Sequence, residues 1–582
     1  MTAQSYQYKP LGIQGNPIRL LTLWPGKWDD EILCTIHHAD LDNELAYRAL
    51  SYTWGDAHDT REILLQNRPF SVTRNLEIAL RHLRQMYCAV TPSIFWVDAL
   101  AINQRDLQER SSQVRKMHDI FTRARQVVAW TGEADIETEA AFDLFDEISR
   151  ISESSIATFE STASFGDLVL DGRSFDADSK NWTLLVHFLS RPYFARLWVL
   201  PELSAQYWQH RYKITPTTRG HPCVLVCGLR KVPSEVFDFA CVMLILWDAY
   251  KPDLMIEWAS VPGLLMWNCI KTMESASHDL SDFVLGCLRL KTSDPRDRVY
   301  ALLALDPEEG KDYLVDYAKS TDQVYEDFII FWLSRQRNLN VLEGEPSADV
   351  GLDDHPSWLH QFHCHRFRGA TPHDEDNPSA GIPMHMLFDG RSKLLSLGGI
   401  LIGRVRKVVG PFHLGALRET RQQVTILAAD LTELQRDSLC RAMISDWEYA
   451  GGRLSASPIT QATYQEIRAW LGLNIPQGSC EQEIRTELSE NTARVIRLST
   501  DVRSIFVLDS GHVCLGTSNA REGDSVAVLY GGRQCFVLRP RGLEYRHLGT
   551  ARVQGIMRGE FIKERDRDED GKPKGSRMFT IC

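Results

Sequence analysis

The sequence predicts an α/β fold at its N-terminal end, a parallel sheet with flanking helices, followed by a helical region and a β-rich C-terminal domain. Three observations predict it. Residues 94–133, IFWVDALAINQRDLQERSSQVRKMHDIFTRARQVVAWTGE, read as strand, loop, helix, strand, a βαβ pattern whose strands run parallel. Upstream, short apolar runs alternate with turn signals and one amphipathic helix, which favours a layered α/β arrangement. Beyond Ser392 the composition shifts to short β runs broken by Gly-Asp, Gly-Gly and Pro-Arg, the pattern of a separate β-rich domain.

Taken in order, residues 18–24 and 31–37 are predicted strands separated by the PGKWDD turn, and 47–54, YRALSYTW, is a third. Residues 62–65 and 69–73 flank Asn67 and Arg68 as a hairpin. Asn75 then opens a helix with Leu76, Ala79, Leu80 and Leu83 on one face. In the central stretch Ile94 to Leu100 is a strand interrupted by Asp98, a carboxylate that needs partners in an apolar run: Arg105, a helix N-terminus or a ligand. Asp106 followed by Glu109 has capping-box spacing for a helix reaching Ala124, and Gln126 to Thr131 is the second strand. A helix to about Arg150, a Ser-rich loop (SESSIATFESTASFGD) and renewed structure at Trp182 to Leu189 follow. Cys223 to Cys227 is a predicted strand; Ser234 to Tyr250 and Asp322 to Gln336 are predicted helices, and 291–307 is a charged turn leading into a short helix. Further on, 394–405 is strand-like, 432–448 and 481–496 helical, 502–548 β-rich, and 563–577 almost wholly charged, Gly or Pro and predicted disordered. The implied domains are 1–46, 47–205, 206–349, 350–562 and a tail, 563–582.

At 582 residues the chain has room for two or three cores. Its net charge of −12 opposes a general role in binding nucleic acid or anionic membranes. The most apolar windows, 240–247 and 394–402, are too short to span a bilayer, and the start MTAQSYQYKP lacks a secretory layout, so a cytoplasmic protein is expected. Thirteen scattered cysteines suit reduced thiols. His360, His363, Cys364 and His365 are a local group of metal-ligand types, but no second cluster completes a site and no metal is expected. P-loop, GxGxxG, GxSxG and HExxH patterns are absent from the sequence.

Four blocks resemble the fungal heterokaryon incompatibility (HET) domain family: YRALSYTWGD at 47–56, FWVDALAINQRDLQERSSQV at 95–114, VVAWTGE at 127–133 and RPYFARLWVLPE at 191–202. DPRDRVYALLAL at 294–305 resembles the segment that follows this domain, and residues 512–540 the β-rich end of long members. The chain departs from the pattern at Ala101, where Cys is usual, Tyr193, where Trp is usual, and Pro201, where Gln is usual. Proline there restricts Leu200 to extended geometry and removes an amide beside Glu202, yet is compatible with the first turn of a helix. The resemblance implies a TIR-like, flavodoxin-like fold and a part in fungal allorecognition and programmed cell death, with partners that are other copies of the chain or incompatibility proteins.

TIR-like enzymes cleave the nicotinamide N-glycosidic bond of NAD with a glutamate in a Trp-x-x-x-Glu arrangement, and Trp198 to Glu202 has that spacing. The resemblance makes Glu202 the catalytic candidate, with NAD as substrate and no resident cofactor. A carboxylate beside the ribose would stabilise its oxocarbenium-like state; the competing role for Glu202 is an ion pair with Arg191 or Arg196. Ser51, Trp54, Asp98, Arg105, Arg196 and Trp198 are the substrate-binding candidates. For Trp198 the alternative is a core position, for Arg196 a salt bridge to Glu202 or Asp98. A non-enzymatic module recruiting death effectors is the alternative function.

Overall fold

The computed structural model describes residues 6–12, 14–159, 179–204, 223–250, 261–274, 287, 289–305, 310–344, 355–360, 362, 376–413, 416–445, 448–450, 453–455, 460–473, 488–569 and 571–582. Part of the Ser-rich segment, His363, Cys364, His365 and residues 481–487 of an expected helix lie outside them. The chain divides into two units, Met1–Val324 and Tyr325–Cys582. Helix Thr321–Gln336 runs across that division, so the expected boundary near 349 falls inside the second unit. There Leu339 donates to Gly531 O and Glu343 pairs with Arg533.

The first unit is built on strands β1 (Pro17–Leu23), β2 (Leu33–Asp40), β3 (Arg48–Tyr52), β4 (Thr60–Leu65), β5 (Arg68–Thr73), β6 (Ser93–Trp96), β7 (Gln126–Trp130), β8 (Cys223–Cys227) and β9 (Arg230–Pro233). They form one sheet in the order β5-β4-β2-β1-β6-β3-β7-β8-β9. Within it β6, β3, β7 and β8 are mutually parallel. Counted along the chain these four lie in the order 2-1-3-4, that of a doubly wound sheet with its topological switch between β3 and β7. The helix-linked strands β6 and β7 are parallel as expected, with β3 between them. The strands of residues 1–46 join the same sheet: β1 lies inside it, antiparallel to both β2 and β6. The β4–β5 hairpin turns at Gln66 and Asn67, both at positive φ, one residue before the expected turn.

Helix α1 (Arg74–Tyr87) buries Leu76, Ala79, Leu80 and Leu83 against the sheet, with Leu50, Phe95 and Val128 in the same core. The apolar run at 94–100 is not one strand. β6 stops at Trp96 and Asp98 opens a single helical turn, α2 (Asp98–Ala101); apolar composition alone does not separate a short buried strand from a buried turn. The expected long helix is broken at Lys116 into α3 (Leu107–Arg115) and α4 (Met117–Arg123). Asp106 caps α3 through the N–H groups of Gln108 and Glu109. Glu109 does not complete a capping box; it turns instead to Arg19 of β1 and to the Asn103 N–H. Helix α5 (Ile136–Phe159) runs on into the Ser-rich segment.

The second unit holds strands β10 (Met386–Asp389), β11 (Leu394–Val409), β12 (Glu448–Ala450), β13 (Arg453–Ser455), β14 (Arg503–Leu508), β15 (Val513–Thr517), β16 (Ser525–Leu529), β17 (Cys535–Arg541), β18 (Glu544–Val553) and β19 (Ser576–Ile581). β11 pairs with β16 over its middle and with β14 over its end, with register shifts at both pairings. The circuit β11-β14-β15-β18-β17-β16 therefore closes into a barrel, which leaves no free edge among those strands. At Gly399 a Cβ would stand 2.4 Å from Val528 O, so only glycine lets β11 approach β16 there. Helices between β11 and β14 pack Leu439, Met443, Ile467 and Ile496 into a core shared with Ile505, Val507, Val513 and Leu515 of β14 and β15. The tail expected to be disordered is ordered in part: Asp568 N–H bonds Lys572 O, and β19 then pairs with β11 over six residues. Charge dominates the composition of 563–577, but Phe579 and Ile581 are buried and supply the face that docks.

The described cysteines are free thiols, nearly all buried. The sulfurs of Cys269 and Cys287 lie 3.9 Å apart, well beyond a disulfide bond. Thiol titration of the denatured, unreduced protein is expected to find all 13 cysteines; a count short by two or more would show a bridge.

Candidate active site at the carboxyl ends of the parallel strands

β3 ends at Tyr52, and its last inward hydroxyl, Ser51, lies under the segment 191–204. That segment is shaped by its sequence. Pro192 starts a 3-10 turn, Pro192–Ala195, Leu197 N–H bonds Lys291 O, and a helix over 199–204 carries Pro201 in its first turn, where its missing N–H costs nothing. This places Glu202 facing β3.

Glu202 is 3% exposed. Ser51 Oγ donates to its Oε2, and Ser51 Oγ also lies 2.8 Å from the Tyr193 hydroxyl. Arg196 Nη1 stands 3.8 Å from the same carboxylate oxygen while donating to Tyr52 O. Burial pushes the Glu202 carboxyl up to about 7; Arg196 and the Ser51 hydroxyl favour its charge, and Asp98 opposes it. Burial therefore outweighs the one nearby cation. Burial likewise raises the hydroxyls of Tyr52 and Tyr193 well above their ordinary value.

Asp98 lies on the outer side of this cluster. Trp54 Nε1 donates to its Oδ2 at 2.7 Å, Ala99 N–H to its Oδ1 at 2.7 Å, and the Tyr52 hydroxyl bonds it as well. Burial raises this carboxyl against Arg196 and those donors. The partner that the sequence left open is thus an adjacent helical turn together with Trp54 and Tyr52.

The structure brings together Ser51, Trp54, Asp98, Arg196 and Glu202. It does not bring in the other two candidates. Arg105 is exposed on the loop after α2, its N–H on Asn103 Oδ1, and forms no ion pair among the described residues. Trp198 precedes the helix that carries Glu202; its indole bonds Asp297, which also accepts from Tyr317. The Trp198 carbonyl accepts the Glu202 N–H at 3.2 Å. Arg191 is excluded as a partner of Glu202, since it holds Thr131 O, Glu133 O and Asp135. The charged turn at 294–298 is largely self-paired: Arg296 holds Asp294 twice at 2.9 Å, and Arg110 joins them.

Sequence reasoning missed two features. Tyr193, noted only as a departure from the family pattern, is the partner of Ser51. Asn75 ties the switch point together, donating to Thr53 O beyond β3 and accepting from Trp130 Nε1 on β7. Beside it lies an open cavity of about 220 Å³ lined by Asp56, Asp59, Arg74, Asn75 and Ile78. Gly55 has φ +80°, and Asp56 caps the turn through the His58 N–H. Among the described residues the one trio spaced for a metal, Asp135, Glu137 and His187, is exposed, and Asp135 is already engaged by Arg191. His360 is buried, and burial pushes it down to about 4. Among the described residues no helix is long and apolar enough to cross a membrane.

Residues 47–202 match the family model described as Heterokaryon incompatibility protein (HET), and residues 484–570 match the Het-6 beta-barrel domain. The chain is 24% identical to "Heterokaryon incompatibility protein 6, OR allele" of Neurospora crassa, in an alignment covering 97% of each. No solved structure matches. The HET match starts at β3 and omits β1 and β2, which the same sheet includes; the barrel match omits β11 and β19.

Proposed function

From a chain that carries a heterokaryon incompatibility domain and a Het-6 β-barrel domain, we propose a protein of fungal non-self recognition whose HET domain cleaves the nicotinamide N-glycosidic bond of NAD. One observation carries the catalytic reading. Glu202, Ser51, Arg196, Asp98 and Trp54 converge at the carboxyl end of β3, the end of a doubly wound sheet at which ligands bind. Burial raises its carboxyl to about 7, which brings Glu202 into the range where it changes charge near neutral pH. The ionised form opposes the positive charge that develops on the ribose as nicotinamide departs, and water completes the hydrolysis. Ser51, itself oriented by Tyr193, fixes the carboxylate. Arg196 offers a cation for the pyrophosphate once it leaves Tyr52 O. Kinship with TIR-like enzymes and execution of cell death belong to this proposal.

A second reading is favoured by the 3% exposure of Glu202. A carboxylate enclosed beneath Ser51, Tyr193 and Arg196 suits a domain that signals by binding incompatibility partners or other copies of the chain. NAD turnover by the purified chain decides between them. Glu202→Gln is expected to lower turnover by about 100-fold or more, the usual cost of removing one preorganised electrostatic partner. Turnover that Glu202→Gln leaves unchanged would end the catalytic assignment, and absence of turnover in the assembled wild-type protein would favour the module.

A further inference from the structure

Trp54 is 40% exposed, yet its ring is pinned. Its indole N–H gives a 2.7 Å hydrogen bond to Asp98 Oδ2, and Asp98 is itself held by the Ala99 N–H and the Tyr52 hydroxyl. An indole fixed along its edge and open to solvent presents a preorganised face. It lies two residues beyond the end of β3, outside the carboxyl ends of the parallel strands. Indole is the aromatic side chain that best attracts a cation to its face. The carboxylate at its edge, Asp98, places an acidic group beside any cation seated on the ring, and the cluster behind it holds one guanidinium, Arg196, against the two carboxyls Asp98 and Glu202. Trp198, by contrast, is committed to Asp297.

We infer that Trp54 and Asp98 form a stacking site for a flat cationic ring of the pyridinium class. This deepens the NAD reading and rests on it for the natural ligand, because the nicotinamide of NAD is an N-linked pyridinium. The stacking role considered for Trp198 passes to Trp54. The attraction falls once the ring becomes neutral, so the site holds the ring before glycosidic cleavage more tightly than after it.

Calorimetric titration of the full chain with 1-methylnicotinamide, a fixed cation, and with neutral nicotinamide tests the site. The cation is expected to bind at least tenfold more tightly. Trp54→Ala should weaken the cation at least tenfold, Trp54→Phe by about threefold, and Asp98→Asn should bring the cation down to the level of the neutral ring. A thermal melt of each variant checks folding, and Trp54→Phe keeps the test intact if the alanine variant does not fold. Equal binding of the two rings, no binding of either, or cation binding indifferent to Trp54 would overturn the inference. NAD turnover with cation binding unaffected by Trp54→Ala would sink this site and leave the cleavage reading standing; ring binding without turnover would do the reverse.

Discussion

Glu109→Ala is expected to destabilise the first unit by about 3 to 5 kcal/mol, the cost of leaving a buried charge without its partner. Arg19 is fully buried in β1, and its two terminal nitrogens grip Glu109 at 2.5 and 2.8 Å. The same guanidinium donates to Ala101 O and Lys9 O, and the Tyr8 ring lies 4.9 Å away. The pair therefore joins the N-terminal segment, β1, the end of α2 and the start of α3 at one point. Removing Glu109 leaves those carbonyls in place but no counter-charge, and also releases the Asn103 N–H. Arg19→Met combined with Glu109→Leu should recover most of the loss, because an apolar pair of similar volume needs no compensation. Denaturant unfolding of the full chain measures it in the transition assigned to the first unit. A loss under 1 kcal/mol for Glu109→Ala would show that water reaches Arg19.

The Glu202→Gln variant is expected to be more stable than the wild type at pH 8 and equal to it near pH 4.5. The folded carboxyl is raised to about 7 against an ordinary 4.5, so between those values the folded state holds a proton that the unfolded chain has released. Stability then falls as pH rises through that window and levels off above 7, by roughly 3 kcal/mol in all. Glutamine carries no such proton and lacks the slope, and it still accepts from Ser51. Arg196 keeps the Tyr52 carbonyl in either case. Denaturation midpoints at pH 5 and pH 8 for both proteins give the comparison. A variant less stable at pH 8 would mean that the Glu202 carboxylate serves mainly as an anchor for Arg196.

Much of the first unit was legible because its elements are local. The β4–β5 hairpin, the apolar face of α1 and the strands around 48–52 and 126–130 each show their own periodicity. The place of β1 was not legible: antiparallel pairing with β6, some seventy residues away, leaves no mark on either strand. The apolar run at 94–100 hid a change from strand to helical turn, and with it the setting of Asp98. Motif and position singled out Ser51, Trp54, Asp98, Arg196 and Glu202, side chains that the fold brings together. The Trp198-to-Glu202 spacing does not bring the two side chains together: the helix begins after Trp198, and the Trp198 indole turns to Asp297. The partner of Trp198, Asp297, lies about a hundred residues downstream, beyond any spacing argument. Arg105 was selected for its loop, which is on the ligand side, but no charge in the cluster draws it inward.

The closure of the barrel has a consequence for biosynthesis. β11 emerges from the ribosome near residue 400, yet its partners β14, β16 and β19 follow about 100, 125 and 175 residues later. At about 5 to 20 residues per second, Leu395 and Leu397 wait roughly ten to forty seconds for β19. During that interval the second unit exposes a long, apolar strand with unpaired edges, the form most prone to pair with a neighbouring nascent chain. Cys582 fastens the closure as well: its N–H bonds Tyr545 O, and the Ser357 N–H and hydroxyl meet its carbonyl.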